Sequence, residues 1–154
     1  MMAINHAATG ALIGLTVDEP FLALPLSFVS HFVLDAIPHY DPVEGTNEEK
    51  ISSKKFFYIQ IVLGALLCFL LILLLSITQP KRWLVAAGCA FLGASPDLLS
   101  FPRYLSVKQT GMDIDKTNWF WSFHSWIQWR TGPDLLWTEL VWLGAIGFCV
   151  AGLL

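Results

Sequence analysis

Apolar residues run along this chain in five blocks, each closed by a short polar or proline-bearing break. The first, Ala3 to Val17, is rich in small residues. Its Gly10 and Gly14 stand four apart, the spacing that lets another membrane helix approach closely. Asp18-Glu19-Pro20 interrupts it, and Pro20 suits the first turn of the next helix, Phe21 to Ile37. These two helices would be about 22 and 25 Å long, short against a hydrocarbon core of about 30 Å. They are expected to form a thin hairpin or a re-entrant pair packed on longer helices.

Pro42 to Lys55 is polar and charged, and reads as a loop. Phe57 to Thr78 carries no charge and has the length of a transmembrane helix. After the turn Gln79-Pro80-Lys81-Arg82, a second span is expected over Trp83 to Phe101, interrupted near its end by Ser95-Pro96-Asp97. Arg103 to Thr131 is one long connection whose aromatic stretch, Trp119 to Trp129, suits the headgroup level of a bilayer. Leu135 to Leu154 is a third span with Glu139 as its only charge. The expected fold is all-α: a polytopic membrane helical bundle, a single integral membrane domain over 1–154, with a short N-terminal helix hairpin, three longer transmembrane helices and an interfacial aromatic segment.

Composition strengthens the membrane reading. The 154 residues are 55% hydrophobic and 14% charged, with a mean hydropathy of +0.60, whereas a soluble domain carries about 25% charged residues. A net charge of −3 without a basic stripe argues against nucleic acid. Cys68, Cys89 and Cys149 lie in apolar runs without metal-type spacing and read as small buried hydrophobes. The start of the chain, with Asn5 and His6 in place of a basic region, does not read as a cleaved signal peptide. If the first two helices form a hairpin and each later span crosses once, Lys50, Lys54, Lys55, Arg103, Lys108, Lys116 and Arg130 share one side. Lys81 and Arg82 take the other. The positive-inside rule then puts the longer loops in the cytoplasm, beneath an inner membrane.

Candidate chemistry concentrates at that same face. His31 and Asp35 are four apart, one helical turn from each other. Pro38 should end the helix and bring His39 and Asp41 back towards them. His6 starts the first helix, Asp97 ends a span, and His124 precedes the last one, so every histidine in the protein falls on this face. Histidine with carboxylate suits a divalent metal, with zinc first and manganese or iron as alternatives. There are enough ligands for one ion or two. Such an ion activates water and stabilises a phosphoryl or carbonyl oxygen as charge develops. Glu139 is a reserve that would support the ligands or pair with Arg130.

Asn5-His6 with Thr9-Gly10, Ser30-His31-x-x-x-Asp35-x-x-Pro38-His39, Gly93-Ala94-Ser95-Pro96-Asp97 and Phe123-His124-Ser125 occur in this order. In that order they resemble the prokaryotic membrane-bound metal-dependent hydrolase family. The resemblance implies His6, His31, Asp35, Asp97 and His124 as metal ligands. It leaves His39 and Asp41 as candidates for a second ion, a general base or support of the ligands. The chain departs from the family pattern at Leu98-Leu99, where a further aspartate is more usual, and in a shortened motif around His124. The His31 to His39 segment is also similar to the helix motif of zinc-dependent phospholipase C and related single-strand nucleases, which space the second histidine further from the aspartate.

The expected function is therefore a membrane-embedded hydrolase acting at the membrane surface on a phosphate- or ester-containing lipid or amphiphile. Membrane lipids are its expected surroundings and partners. The rival is a non-enzymatic scaffold or transport component with a structural metal or polar cluster. Transport favours polar groups near the bilayer midplane, and here they gather at one end.

Overall fold

The computed structural model describes residues 1–40, 54–110 and 119–153. Among these, all regular structure is helical: α1 (Ala3–Thr16), α2 (Pro20–Asp35), α3 (Lys54–Thr78), α4 (Trp83–Thr110), α5 (Trp119–Ile127) and α6 (Leu136–Ala151). A short 3-10 turn at Pro133–Leu135 precedes α6. The chain is all-α. Pro20 takes the first turn of α2, where its missing N–H breaks no hydrogen bond.

The shortest of the long helices is the central one. Most of α1 is buried, from Ile4 through Ala11 and again at Gly14 and Leu15. The helix packs against α2, α3, α4 and α6, most extensively against α4. Its small residues explain this. A methyl group added at Gly10 would lie 2.2 Å from the Cys89 carbonyl oxygen, and one at Gly14 would lie 2.7 Å from Ala86 Cα. The backbones of α1 and α4 therefore touch along the Gly10/Gly14 face, as small residues four apart allow. Ala7, Ala11 and Leu15 meet Leu75, Ala86, Ala90 and Ala94 in one apolar cluster. Ala8 meets Ile146 and Val150 of α6 in another. At the far end, Arg82 donates to the Leu15 carbonyl (2.6 Å) and pairs with Asp18, which caps the last turn of α1.

Two elements differ from expectation. α4 does not break at Ser95-Pro96-Asp97 but continues to Thr110. Proline deprives the Leu92 carbonyl of its helical N–H partner. The Ser95 hydroxyl donates to that carbonyl instead, at 2.9 Å, the kind of substitution by which apolar helices carry an internal proline. The aromatic stretch is not an open connection either, because Trp119–Ile127 winds into α5 with His124 turned inwards. Cys89 is buried as expected, but Cys149 is exposed on the outer side of α6.

Among the described residues one helix is long and apolar enough to cross a membrane, Ile61–Thr78, and only 6% of that stretch is buried. Pro20–Asp35, Trp83–Leu99 and Leu136–Ala151 are shorter apolar helices. The outer faces of α2, α3, α4 and α6 are apolar, with Phe21, Val62, Ile77, Leu84, Phe91 and Phe148 each at least 60% exposed.

Candidate metal centre

The centre is assembled from the start of α1, the end of α2, the middle of α4 and α5. His31 and Asp35 lie one turn apart on α2, with His31 Nε2 3.1 Å from Asp35 Oδ2. After Asp35 the helix stops. Ile37 N–H reaches back to Leu34 and Pro38 cannot continue the ladder. His39 then folds inwards and is held there by pairing with the segment after α5: its N–H donates to Arg130, and Gly132 N–H donates to its carbonyl. The Trp129 indole donates to the free carbonyl of Ala36, fastening the end of α2 to the same segment.

Asp35 is the hub. Its Oδ2 faces His31 Nε2, His124 Nε2 (2.8 Å) and the Gln128 amide, which donates to it at 2.8 Å. Its Oδ1 faces His6 Nε2 (3.1 Å), His39 Nε2 (3.8 Å) and the Met1 ammonium (2.8 Å). The carboxylate is 1% exposed. A buried charge of this kind costs several kcal/mol unless it is closely partnered (about 3–5 on removing a partner), which accounts for the density of cationic and N–H groups around it. Asp97 lies within α4 with its side chain 31% exposed, Oδ1 3.7 Å from His31 Nε2 and Oδ2 3.9 Å from His6 Nε2.

The tautomers are set by main-chain acceptors. His31 Nδ1–H donates to the Gly93 carbonyl at 2.8 Å and His39 Nδ1–H donates to Ile37 at 2.8 Å. Nε2 is therefore the ring nitrogen left to face Asp35, the arrangement in which a histidine with its other N–H committed can take a metal. Burial holds the His39 imidazole below the ordinary histidine pKa, which keeps that nitrogen free of a proton. His31 Nε2 and His124 Nε2 are 3.0 Å apart. Ligand atoms from His31, Asp35, Asp97 and His124 all lie within 4.8 Å of one another. A Zn–N bond of about 2.0–2.1 Å places tetrahedral donors roughly 3.3 Å apart, so this set could hold a metal ion.

His6 stands beside this group, its ring stacked on His31 at 4.0 Å between centroids. It approaches Asp35 Oδ1 out of line for a hydrogen bond, and both its ring nitrogens are buried without a partner. Of the residues singled out in the sequence, His6, His31, Asp35, His39, Asp97 and His124 thus come together, while Asp41 lies outside the described residues. Glu139 does not reach for a loop cation. It accepts from Met2 N–H (2.9 Å), the Asn5 amide (2.6 Å) and Tyr40 N–H (3.2 Å), and so clamps the start of α1 and the His39 segment to α6. Gln128 and Met1 were not singled out. Gln128 is four residues after His124 on the same helical face, a spacing that marks it in retrospect.

Comparison with protein-family models, with curated proteins and with solved structures finds no match to this chain.

Proposed function

We propose that this chain is a polytopic membrane protein of the metal-dependent hydrolase kind, its site opening at one face of the bilayer. The substrate would be a phosphate- or ester-bearing lipid or amphiphile, and the ion zinc first. The observation that carries this reading is the set of His31, Asp35, Asp97 and His124 donors within 4.8 Å of one another, three of them buried and Asp97 partly open. A bound divalent ion supplies Lewis acidity, acidifying water and stabilising charge that develops on a phosphoryl or carbonyl oxygen. His31, His124 and Asp35 would hold it. Gly93 and Gln128 would fix their orientation, and Asp97, on the exposed side, would face incoming substrate.

Placement supports the lipid class. Trp119 and Trp126, on the helix that carries His124, and Trp129, just past its end, are 79%, 74% and 66% exposed, as suits aromatic residues at headgroup depth. The exposed apolar faces of α2, α3, α4 and α6 exceed what a hydrated surface tolerates, and support several membrane-embedded helices in addition to Ile61–Thr78. The positive-inside count supports a cytoplasmic site.

The test is elemental analysis of protein purified in detergent without chelator, then turnover of mixed phospholipid and acyl-ester micelles. Bound zinc with turnover, the zinc reduced and the turnover lost in His31→Ala, is the expected result. Zinc without turnover of any substrate class would favour the rival, a scaffold with a structural ion, to which the crowding of partners on Asp35 lends support. A chain that binds no metal would defeat the hydrolase reading and leave the rival in its other form, a scaffold or transport component built around a polar cluster.

A further inference from the structure

Asp35 and Asp97 each divide their two oxygens between two groups of histidines. Asp35 Oδ2 meets His31 (3.1 Å) and His124 (2.8 Å), while its Oδ1 meets His6 (3.1 Å) and His39 (3.8 Å). Asp97 repeats the division, Oδ1 towards His31 and Oδ2 towards His6. We infer that the centre has two cation positions bridged by Asp35: one held by His31, His124 and Oδ2, the other by His6, His39 and Oδ1, with Asp97 spanning both from the open side. This deepens the proposed hydrolase reading and rests on it.

An independent observation points to the second position. His6 is fully buried with neither ring nitrogen hydrogen-bonded, although Asp35 Oδ1 is 3.1 Å from Nε2. An unsatisfied buried polar group of this kind costs about 1–3 kcal/mol, and a cation between His6 Nε2 and Oδ1 would satisfy that nitrogen. His39 is prepared in the same sense, its Nδ1–H committed to Ile37 and its Nε2 turned to the same oxygen. The Met1 ammonium, 2.8 Å from Oδ1, already places positive charge on this side, and a metal ion would take over that neutralising role. A carboxylate bridging two ions about 3.5–4 Å apart is the arrangement that stabilises both the attacking and the leaving oxygen in a displacement at phosphorus. Of the two substrate bonds, it favours the phosphate.

The experiment loads the full chain in detergent with zinc and counts equivalents after gel filtration. A second sample is loaded with manganese(II) for electron paramagnetic resonance. The wild type is expected to hold two zinc ions per chain and to give an exchange-coupled manganese spectrum. His39→Ala, which changes a residue outside the helices, and His6→Gln should each hold one, with a simple hyperfine sextet and unchanged helical circular dichroism. A wild type that saturates at one ion while still hydrolysing lipid would overturn the second position alone. Two ions retained in both variants would overturn the ligand assignment, and no bound ion would overturn the centre altogether.

Discussion

The Nδ1 of His31 lies 2.8 Å from the main-chain oxygen of Gly93, so one helix sets the tautomer of a histidine on another. The same glycine lets α1 and α4 meet, because a methyl group there would sit 2.6 Å from the His6 carbonyl oxygen. One backbone position thus orients His31 and sets the depth of His6. Gly93→Ala should keep the fold yet displace both imidazoles, lowering zinc affinity by about 10–100-fold, the usual cost of disturbing groups that orient ligands. Competition against a chromogenic chelator measures it, and an unchanged affinity would contradict the assigned role.

Asp35→Asn tests the hub. The amide has nearly the same shape but lacks the charge, so the Met1 ammonium loses its counter-ion and one of the two histidine groups faces an NH2 in place of a carboxylate oxygen. Metal binding should vanish, and stability should fall by about 3–5 kcal/mol, as when one partner of a buried ion pair is removed. Thermal melting with and without zinc separates these effects: the variant should melt lower and show no response to the metal.

How far the sequence foretold this arrangement depends on the range of the interaction. His31 and Asp35 are readable because a helical turn separates them. The Gly10/Gly14 contact is readable because small residues four apart have one structural use in apolar helices. The centrality of α1 is hidden, since a run of 14 residues looks subordinate to longer apolar blocks until its partners are known. The continuation of α4 past Pro96 rests on a single serine hydroxyl that replaces a lost N–H. The attachments of Asp35 to Met1 and Gln128, and of Glu139 to Met2, Asn5 and Tyr40, join positions about 34 to 137 residues apart. No local pattern encodes them.

Close approach of α1 to α4 should also be visible in stability. Gly10→Ala places a methyl group 2.2 Å from the Cys89 carbonyl oxygen, an atom that can move only with its helix. The expected loss is about 1–3 kcal/mol or more, typical of overpacking. Gly64→Ala is the control, since nothing lies within 4 Å of the added methyl, and it should be neutral or mildly stabilising because alanine favours helix. Equal melting temperatures for the two variants would show that the α1–α4 contact is looser than described.

Glu139 offers a test of support at a distance from the ligands. Glu139→Ala removes the side-chain acceptor of Met2 N–H, the Asn5 amide and Tyr40 N–H, at about 1–3 kcal/mol for a buried donor left unpaired, while the Asn5 amide keeps its bond to the residue 139 carbonyl. Because these groups flank His6 on one side and His39 on the other, the variant should weaken metal binding without altering a ligand. Glu139→Gln keeps one acceptor oxygen and should recover part of the loss. If Glu139→Ala bound zinc as the wild type does, the clamp would have no part in positioning the centre.

Metal removal gives the most direct reading of how binding and folding are coupled. A ligand that binds only the folded chain stabilises it by RT ln(1 + [L]/Kd), about 2.7 kcal/mol at a hundredfold excess over Kd. Chelation should therefore lower the melting temperature of the wild type, and added zinc should restore it. The response should be diminished in His124→Ala, which removes a donor 2.8 Å from Asp35 Oδ2. It should survive in full in Cys149→Ser, since that residue is exposed away from the centre. The ordering matters more than the size: a zinc response carried by Cys149 and indifferent to His124 would mean that the ion binds elsewhere, and the converging imidazoles would then be a buried polar network that holds α1, α2 and α5 together without metal.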